Sequence, residues 1–328
     1  MKQCIIIGVD VSKSTLDIYF KPSETFQHIT NTAAGFRSFY LHLQKQSDQQ
    51  HVLVVMEHTG HYSRRFEEFL RSKNIAYCKI PALQIKRSLG ITRGKNDKID
   101  AERIAEYGWL RKDTLKADEA VPPAILKLQS LLSLRKKLVA DRAGYTGRLK
   151  EMKNTGVCNS VAIELKCQQR MIKYFTAEII KVEQEIKKLI STNESLEKTT
   201  ALLQSIRGIG WIVSVSMICY TNNFTKFSTA RKFNCYAGIA PFTHESGSSI
   251  RGRSRISHLA NKEAKALLNL AAFSAIRNDY ELKQYYQRRV AEGKRKMSCI
   301  NIVRAKLVSR MFAVIKRQTP FEPLPIAA

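Results

Sequence analysis

Acidic residues are scarce in this chain. Of 328 residues, 28 are Asp or Glu against 55 Lys or Arg, a formal net charge of +27. Such a field attracts polyanions and speeds their capture. Nucleic acid is the expected partner, because neutralising phosphates releases counterions. A ribosome-like or membrane-surface cation is the alternative. No apolar run approaches the roughly 18 residues of a membrane span, so no membrane partner is expected. The first apolar run, Cys4 to Val9, is short for a signal peptide and ends at Asp10. Seven cysteines (Cys4, Cys78, Cys158, Cys167, Cys219, Cys235 and Cys299) include no C-x-x-C pair and are odd in number. Neither a disulfide framework nor a zinc site is expected. Most read as small core residues in a reducing cytoplasm.

What is present is enough apolar material, 44% of residues, for real cores. The length suits two or three domains of roughly 100–150 residues. The charge is uneven. Residues 201–328 carry 21 basic and 6 acidic side chains, against 18 and 12 in residues 1–115 and 16 and 10 in residues 116–200. The C-terminal third is therefore expected to make the main phosphate contacts.

Residues 3–9, 16–20, 26–30, 52–56 and 76–80 read as strands, with helices at 36–43 and 62–70. Strands come first as a hairpin run and then alternate with helices, which predicts a mixed α/β sheet with flanking helices. A further helix is expected over 97–110. Pro122-Pro123 marks a boundary. Two long helices are expected at 124–153 and 163–197. The second carries Ile172, Phe175, Ile179, Val182, Ile186 and Leu189 in alternating steps of three and four, a coiled-coil seam. The first carries Leu131, Leu134, Leu138, Tyr145, Leu149 and Met152 as a similar stripe. Such a pair is either an intramolecular helical hairpin or an arm that joins protomers into a dimer or tetramer. The rest is expected to be mainly α-helical, with an irregular Gly/Ser-rich stretch at 243–258. The expected domains are 1–118, an arm over 119–199, a C-terminal domain over 200–318, and a loose tail over 319–328.

Asp10 and Glu57 each follow a buried apolar run, so neighbouring strands can bring them together. Asp97 and Asp100 are spaced i, i+3 and project from one helix face. Four such oxygen donors suit one or two Mg²⁺ ions (or Mn²⁺) and the chemistry of phosphoryl transfer. Taken singly, each acid has a plainer role as a turn former, a cap or a helix-dipole partner. Asp17, Glu102 and Glu106 compete for the role. Asp17 falls mid-strand and the two glutamates lie further round the helix, so they are set aside.

These residues carry a resemblance. IGVDVSKSTLDIYF, VVMEHTGHY and NDKIDAERIA resemble the N-terminal domain of the DEDD-type insertion-sequence transposases. The resemblance implies an RNase H-like domain, similar to Holliday-junction resolvases. It maps the family's four catalytic and metal-binding acids onto Asp10, Glu57, Asp97 and Asp100. IGVDVSKST also resembles the first phosphate loop of actin-like ATPases, but Ser12 stands where that loop has a second glycine.

Residues 201–220 read as helix, Gly-Ile-Gly turn, helix. Gly208 and Gly210 are candidates for close approach to a backbone phosphate, as in a helix-hairpin-helix. YAGIAPFTHESGSSIRGRSRIS follows, with Arg251, Arg253 and Arg255 beside a Ser/Gly-rich turn. Read alone, this is a phosphate-binding loop. Residues from about 200 to 315 resemble the C-terminal domain of the same transposases, a family directed by a structured bridge RNA. That resemblance implies a nucleophilic serine at Ser246, with Ser248 and Ser249 as near rivals. It also implies DNA, both donor and target, as substrate. The expected reaction forms a covalent phosphoserine link and exchanges strands, at a site shared between domains or protomers. A junction endonuclease would need the acids but not the serine. A nucleic-acid packaging protein would explain the charge but not the placement of the acids.

Overall fold

The structure is a computed structural model that describes residues 4–46, 51–58, 60–88, 90, 96–154, 162–246 and 250–323. For Ala162, His244, Ser246, Ile250, Arg251 and Arg253 it describes the backbone. The chain folds as two compact units, Met1–Ala120 and Val121–Ala328.

The first unit is built on a five-stranded sheet. Its strands are β1 (Cys4–Val11), β2 (Thr15–Lys21), β3 (Thr25–Thr30), β4 (His51–Glu57) and β5 (Ala76–Ile80). Their order is β3-β2-β1-β4-β5. The first three pair antiparallel, and β4 and β5 run parallel to β1. This is the mixed α/β sheet expected from the strand pattern. A tight turn closes β1 onto β2, where Ser12 Oγ donates to the Thr15 carbonyl and accepts from the Thr15 amide, both at 2.9 Å.

Alternation along the strands sorts side chains between two faces. Ile5, Ile7, Val9, Leu16, Ile18, Val54 and Met56 are buried against α1 (Ala33–Gln46) and α2 (Arg64–Ser72). Ile6, Val55, Cys78 and Tyr19 face the other way, where α3 (Ala82–Ser88) and α4 (Asp97–Leu110) lie. α3 falls between the predicted elements. α4 has the predicted bounds, and Asn96 caps it by accepting from the Ile99 amide at 2.7 Å.

The second unit is mainly helical. α5 (Pro123–Asn154) and α6 (Ala162–Ser191) form an antiparallel hairpin. Arg135 Nε meets Glu183 Oε1 at 2.7 Å, and the Tyr145 and Phe175 rings lie 5.5 Å apart. Ile179, Val182 and Ile186 of the predicted seam are buried, whereas Leu134 of the α5 stripe is exposed. The helix expected to run to 197 stops at Ser191. Asn193 then starts α7 (Glu194–Gln204), accepting from the Leu196 amide. α8 (Trp211–Thr221) is apolar nearly all round and accordingly buried, packed by α5, α7 and α10 (Lys262–Asn278). α9 (Ala230–Tyr236), α11 (Tyr280–Ala291) and α12 (Lys296–Arg317) complete the helices.

One expectation is overturned here. The stretch predicted as irregular at 243–258 is largely a β-hairpin, β6 (Pro241–Ser246) paired with β7 (Ile250–Ile256). Its described residues are almost all exposed, so no buried apolar face marks it in the sequence.

Candidate active site

The four acids gather at one end of the first unit, and packing explains why. Val9 and Met56 are paired across β1 and β4 and are fully buried on the α1/α2 side. Asp10 and Glu57, one position further on, therefore emerge on the α4 side. α4 lies directly on β1 because Gly8 has no side chain. A Cβ there would collide with the backbone of Ala101 and Ala105. Gly108 permits the same approach one end further along, against Ile6 and Val55. This seating directs the first turn of α4, with Asp97 and Asp100, towards the end of β1 that carries Asp10.

The charges register this proximity. Asp10 is partly buried, and its carboxyl is pushed up to about 6, first by desolvation and then by Asp100, Asp97, Glu57 and Asp17. All three other members of the quartet thus act on it through space. Asp100 also pairs with Arg103 at 3.1 Å. Among the described residues, no three acidic, histidine or cysteine side chains converge closely enough to hold a metal ion in this arrangement. The donor chemistry nevertheless fits a hard divalent cation, which takes carboxylate oxygen and would relieve the mutual repulsion that raises Asp10.

Sequence reasoning set Asp17 aside, and the structure restores it to the neighbourhood. Asp17 is the cross-strand partner of Asp10, and His28 is the partner of Asp17 on β3. The three occupy one row on one face. Asp17 is 5% exposed, and its Oδ1 meets His28 Nδ1 at 2.8 Å. The signal was available in the hairpin register, because a turn centred between Ser12 and Thr15 sets 10 opposite 17. Glu106 is engaged elsewhere, pairing with Lys21 at 3.2 Å.

In the second unit, Ser246 ends β6 and pairs with Ile250. Gly247, Ser248 and Ser249 lie outside the described residues. Arg251, Arg253 and Arg255 fall on β7, where a bulge opposite Thr243 interrupts strict alternation. Gly208 has a different reason from the one expected. Its φ is +96°, and a Cβ would strike Ala275 of α10, so the close approach made there is to a helix of its own core. Gly210 is the N-cap of α8 and faces open space, which leaves that helix start accessible. The helix–turn–helix of α7 and α8 is present as predicted.

Two family models match these same regions. One, described as a transposase and belonging to the DEDD transposases of the IS110 type, matches residues 7–152. The other, described as Transposase IS116/IS110/IS902 family, matches residues 200–287. The chain belongs to the IS110 family of transposases. The same relationship extends along whole chains. The pilin gene-inverting proteins of Moraxella bovis and Moraxella lacunata are each 28% identical over 96% of this chain and 97% of their own. The transposase for insertion sequence element IS1111A of Coxiella burnetii is 22% identical over 88% of this chain and 85% of its own. As a transposase, the protein acts on DNA, and divalent-metal use goes with its DEDD class. Among the described residues no helix is long and apolar enough to cross a membrane.

Proposed function

We propose that this transposase cleaves and exchanges DNA strands of a mobile element without net hydrolysis. The observation that carries the proposal is that Asp100, Asp97 and Glu57 all act through space on the carboxyl of Asp10 at one end of the sheet, in a chain whose C-terminal third holds the largest share of the positive excess. The relatives named for pilin gene inversion support a recombination chemistry that both cuts and reseals.

In this reading Asp10, Glu57, Asp97 and Asp100 hold Mg²⁺ or Mn²⁺. The ion supplies charge neutralisation at the scissile phosphate when bound. Ser246 is the nucleophile. Its Oγ loses a proton to solvent and forms a bond to phosphorus, while the bond from phosphorus to the departing sugar oxygen breaks and that oxygen takes up a proton. The hydroxyl of a second strand then attacks the phosphoserine, restoring a phosphodiester and releasing Ser246. One P–O bond is exchanged for another at each step, so no high-energy cofactor is needed. Arg251, Arg253 and Arg255 stabilise the extra negative charge of the transition state. The open N-terminus of α8 at Gly210 binds a DNA backbone phosphate. Sequence choice is delegated to base pairing with a structured guide RNA, leaving the protein to contact backbone and shape. The α5/α6 hairpin contributes to assembly of a dimer or tetramer.

The test is product analysis on DNA carrying the element's ends. Resealed, exchanged strands are expected from wild type in Mg²⁺ without ATP, and none from Asp10→Asn, Glu57→Gln or Ser246→Ala. Cut, unjoined ends from wild type, with cutting retained by Ser246→Ala, would mark a hydrolytic junction endonuclease instead. A discrete RNA is expected to co-purify from the native locus, and its absence would leave an unguided recombinase.

A further inference from the structure

A cavity of about 830 Å³ opens between α9 and the β6–β7 hairpin, lined by Tyr236, Phe242, Thr243, Arg255, Ser257 and Leu259 among others. Its walls differ in rigidity. Tyr236 is fixed: its hydroxyl accepts from Asn261 Nδ2 at 2.7 Å, its carbonyl accepts from the Asn261 amide, and its ring packs on Phe227 and Phe233. Phe242 and Leu259 are 48% and 61% exposed, a large apolar surface left to water beside the cavity. Gly252 adds a stretch of wall with no side chain to block an approach.

We infer that this cavity receives an unpaired DNA base, stacked on Phe242, from the strand being exchanged. The chemistry of the walls selects that occupant. A sequence-tolerant site for single-stranded nucleic acid combines an aromatic platform with cationic groups that follow the backbone. Phe242 supplies the platform, Arg255 the guanidinium, and the hydroxyls of Thr243 and Ser257 the donors and acceptors for a base edge. Lys226, with its Nζ 5.5 Å from the Tyr236 ring centroid, adds positive charge nearby. A lipid tail or an apolar peptide would leave the Arg255 guanidinium and the Thr243 and Ser257 hydroxyls without a partner. Position favours DNA over RNA. Phe242 stands four residues before Ser246 on the same strand, roughly 13 Å away, the span of a few nucleotides. A base captured there is unpaired close to the break, which holds the strand open for its new partner. The choice of DNA rests on the reading of Ser246 as the cleaving residue; the presence of a base site does not.

The experiment uses the full chain, freed of nucleic acid, and two labelled ten-nucleotide probes in fluorescence anisotropy. One is single-stranded oligothymidylate and the other is the same sugar–phosphate chain without bases. Charge is identical, so the difference between them reports base contacts. The intact probe is expected to bind about tenfold more tightly. Phe242→Ala is expected to abolish most of that difference while leaving the abasic probe unchanged, and Phe242→Trp to retain it. A 4-thiothymidine probe is expected to crosslink to the tryptic peptide spanning 233–251. Equal binding of the two probes, an equal loss on both in Phe242→Ala, or a crosslink confined to other peptides would overturn the inference. A third probe, oligouridylate of the same length, separates DNA from RNA, and its tighter binding than oligothymidylate would overturn the assignment to DNA. Ser246→Ala is expected to bind both probes as wild type does, so base capture and strand cleavage succeed or fail separately.

Discussion

Neutralising Asp10 is expected to stabilise the metal-free protein while abolishing its activity. The carboxyl stands at about 6 instead of the ordinary 3.8, because burial and four neighbouring carboxylates disfavour its charge. A displacement of that size corresponds to roughly 3 kcal/mol against the ionised form. Asp10 is partly exposed, so solvent screening cuts this to about 1–1.5 kcal/mol. The sign follows from proton binding. The folded state holds this proton more tightly than the unfolded state, so stability falls as pH rises from 3.8 to about 6 and stays low above it. Asp10→Asn removes that fall. In EDTA the variant should therefore match wild type near pH 4 and exceed it at pH 7, by about 3–6 °C in the melting of the first unit. Added Mg²⁺ should raise wild type more than the variant. An Asp10→Asn protein no more stable than wild type at pH 7 in EDTA, or equally stabilised by Mg²⁺, would refute the crowded-carboxylate account.

Gly8→Ala should lower stability by about 1–3 kcal/mol or more, since the new methyl meets the α4 backbone. It should also cut strand exchange, because it displaces the turn bearing Asp97 and Asp100. Gly147→Ala, on an open face of α5, should be neutral or stabilise by about 0.5–1 kcal/mol in the same denaturation assay. Glu67 is buried with Ser63 Oγ at 2.7 Å and Lys79 Nζ at 2.8 Å; burial alone would raise its carboxyl, yet these partners hold it below its ordinary value. Its stabilising contribution is present above pH 4.5 and lost as pH falls below that. Glu67→Gln should cost about 2–3 kcal/mol at pH 7 in a denaturant titration, and less in acid. Cys78 and Cys219, each pushed up to about 12 by burial, should resist a thiol reagent at pH 8 in the folded protein, whereas exposed Cys167 should react.

Much of the first unit was legible because β1 and β4 are short apolar runs with a clear stop and β2 alternates. The bounds of α4 agree with the helix expected over 97–110, and Asn96 supplies the cap that fixes its start. The grouping of Asp10 with Glu57 followed from their places just after buried runs. Asp17 was lost because a buried, strand-centred acid looks structural until the cross-strand register is counted. The β6–β7 hairpin was lost for a different reason. Its described positions are nearly all exposed, so Gly, Ser and Arg replace the apolar alternation that reveals a strand. The break between α6 and α7 carries Thr192 and Asn193 but no Gly or Pro, and the heptad pattern passed over it. The cavity walls come from α9, β6, β7 and the segment after β7, residues whose convergence no local spacing announces.

If Ser246 attacks DNA it carries a nucleotide while the strand is broken, and the mass of what stays attached to it reads this out. Wild type is incubated with DNA carrying the element's ends, denatured during the reaction, and digested with nuclease and trypsin. The peptide spanning 233–251 should gain a nucleotide, and fragmentation should place it on Ser246; Ser246→Ala should show none. A nucleotide on Ser248, Ser249 or Tyr236, or an adduct that persists in Ser246→Ala, would contradict the account.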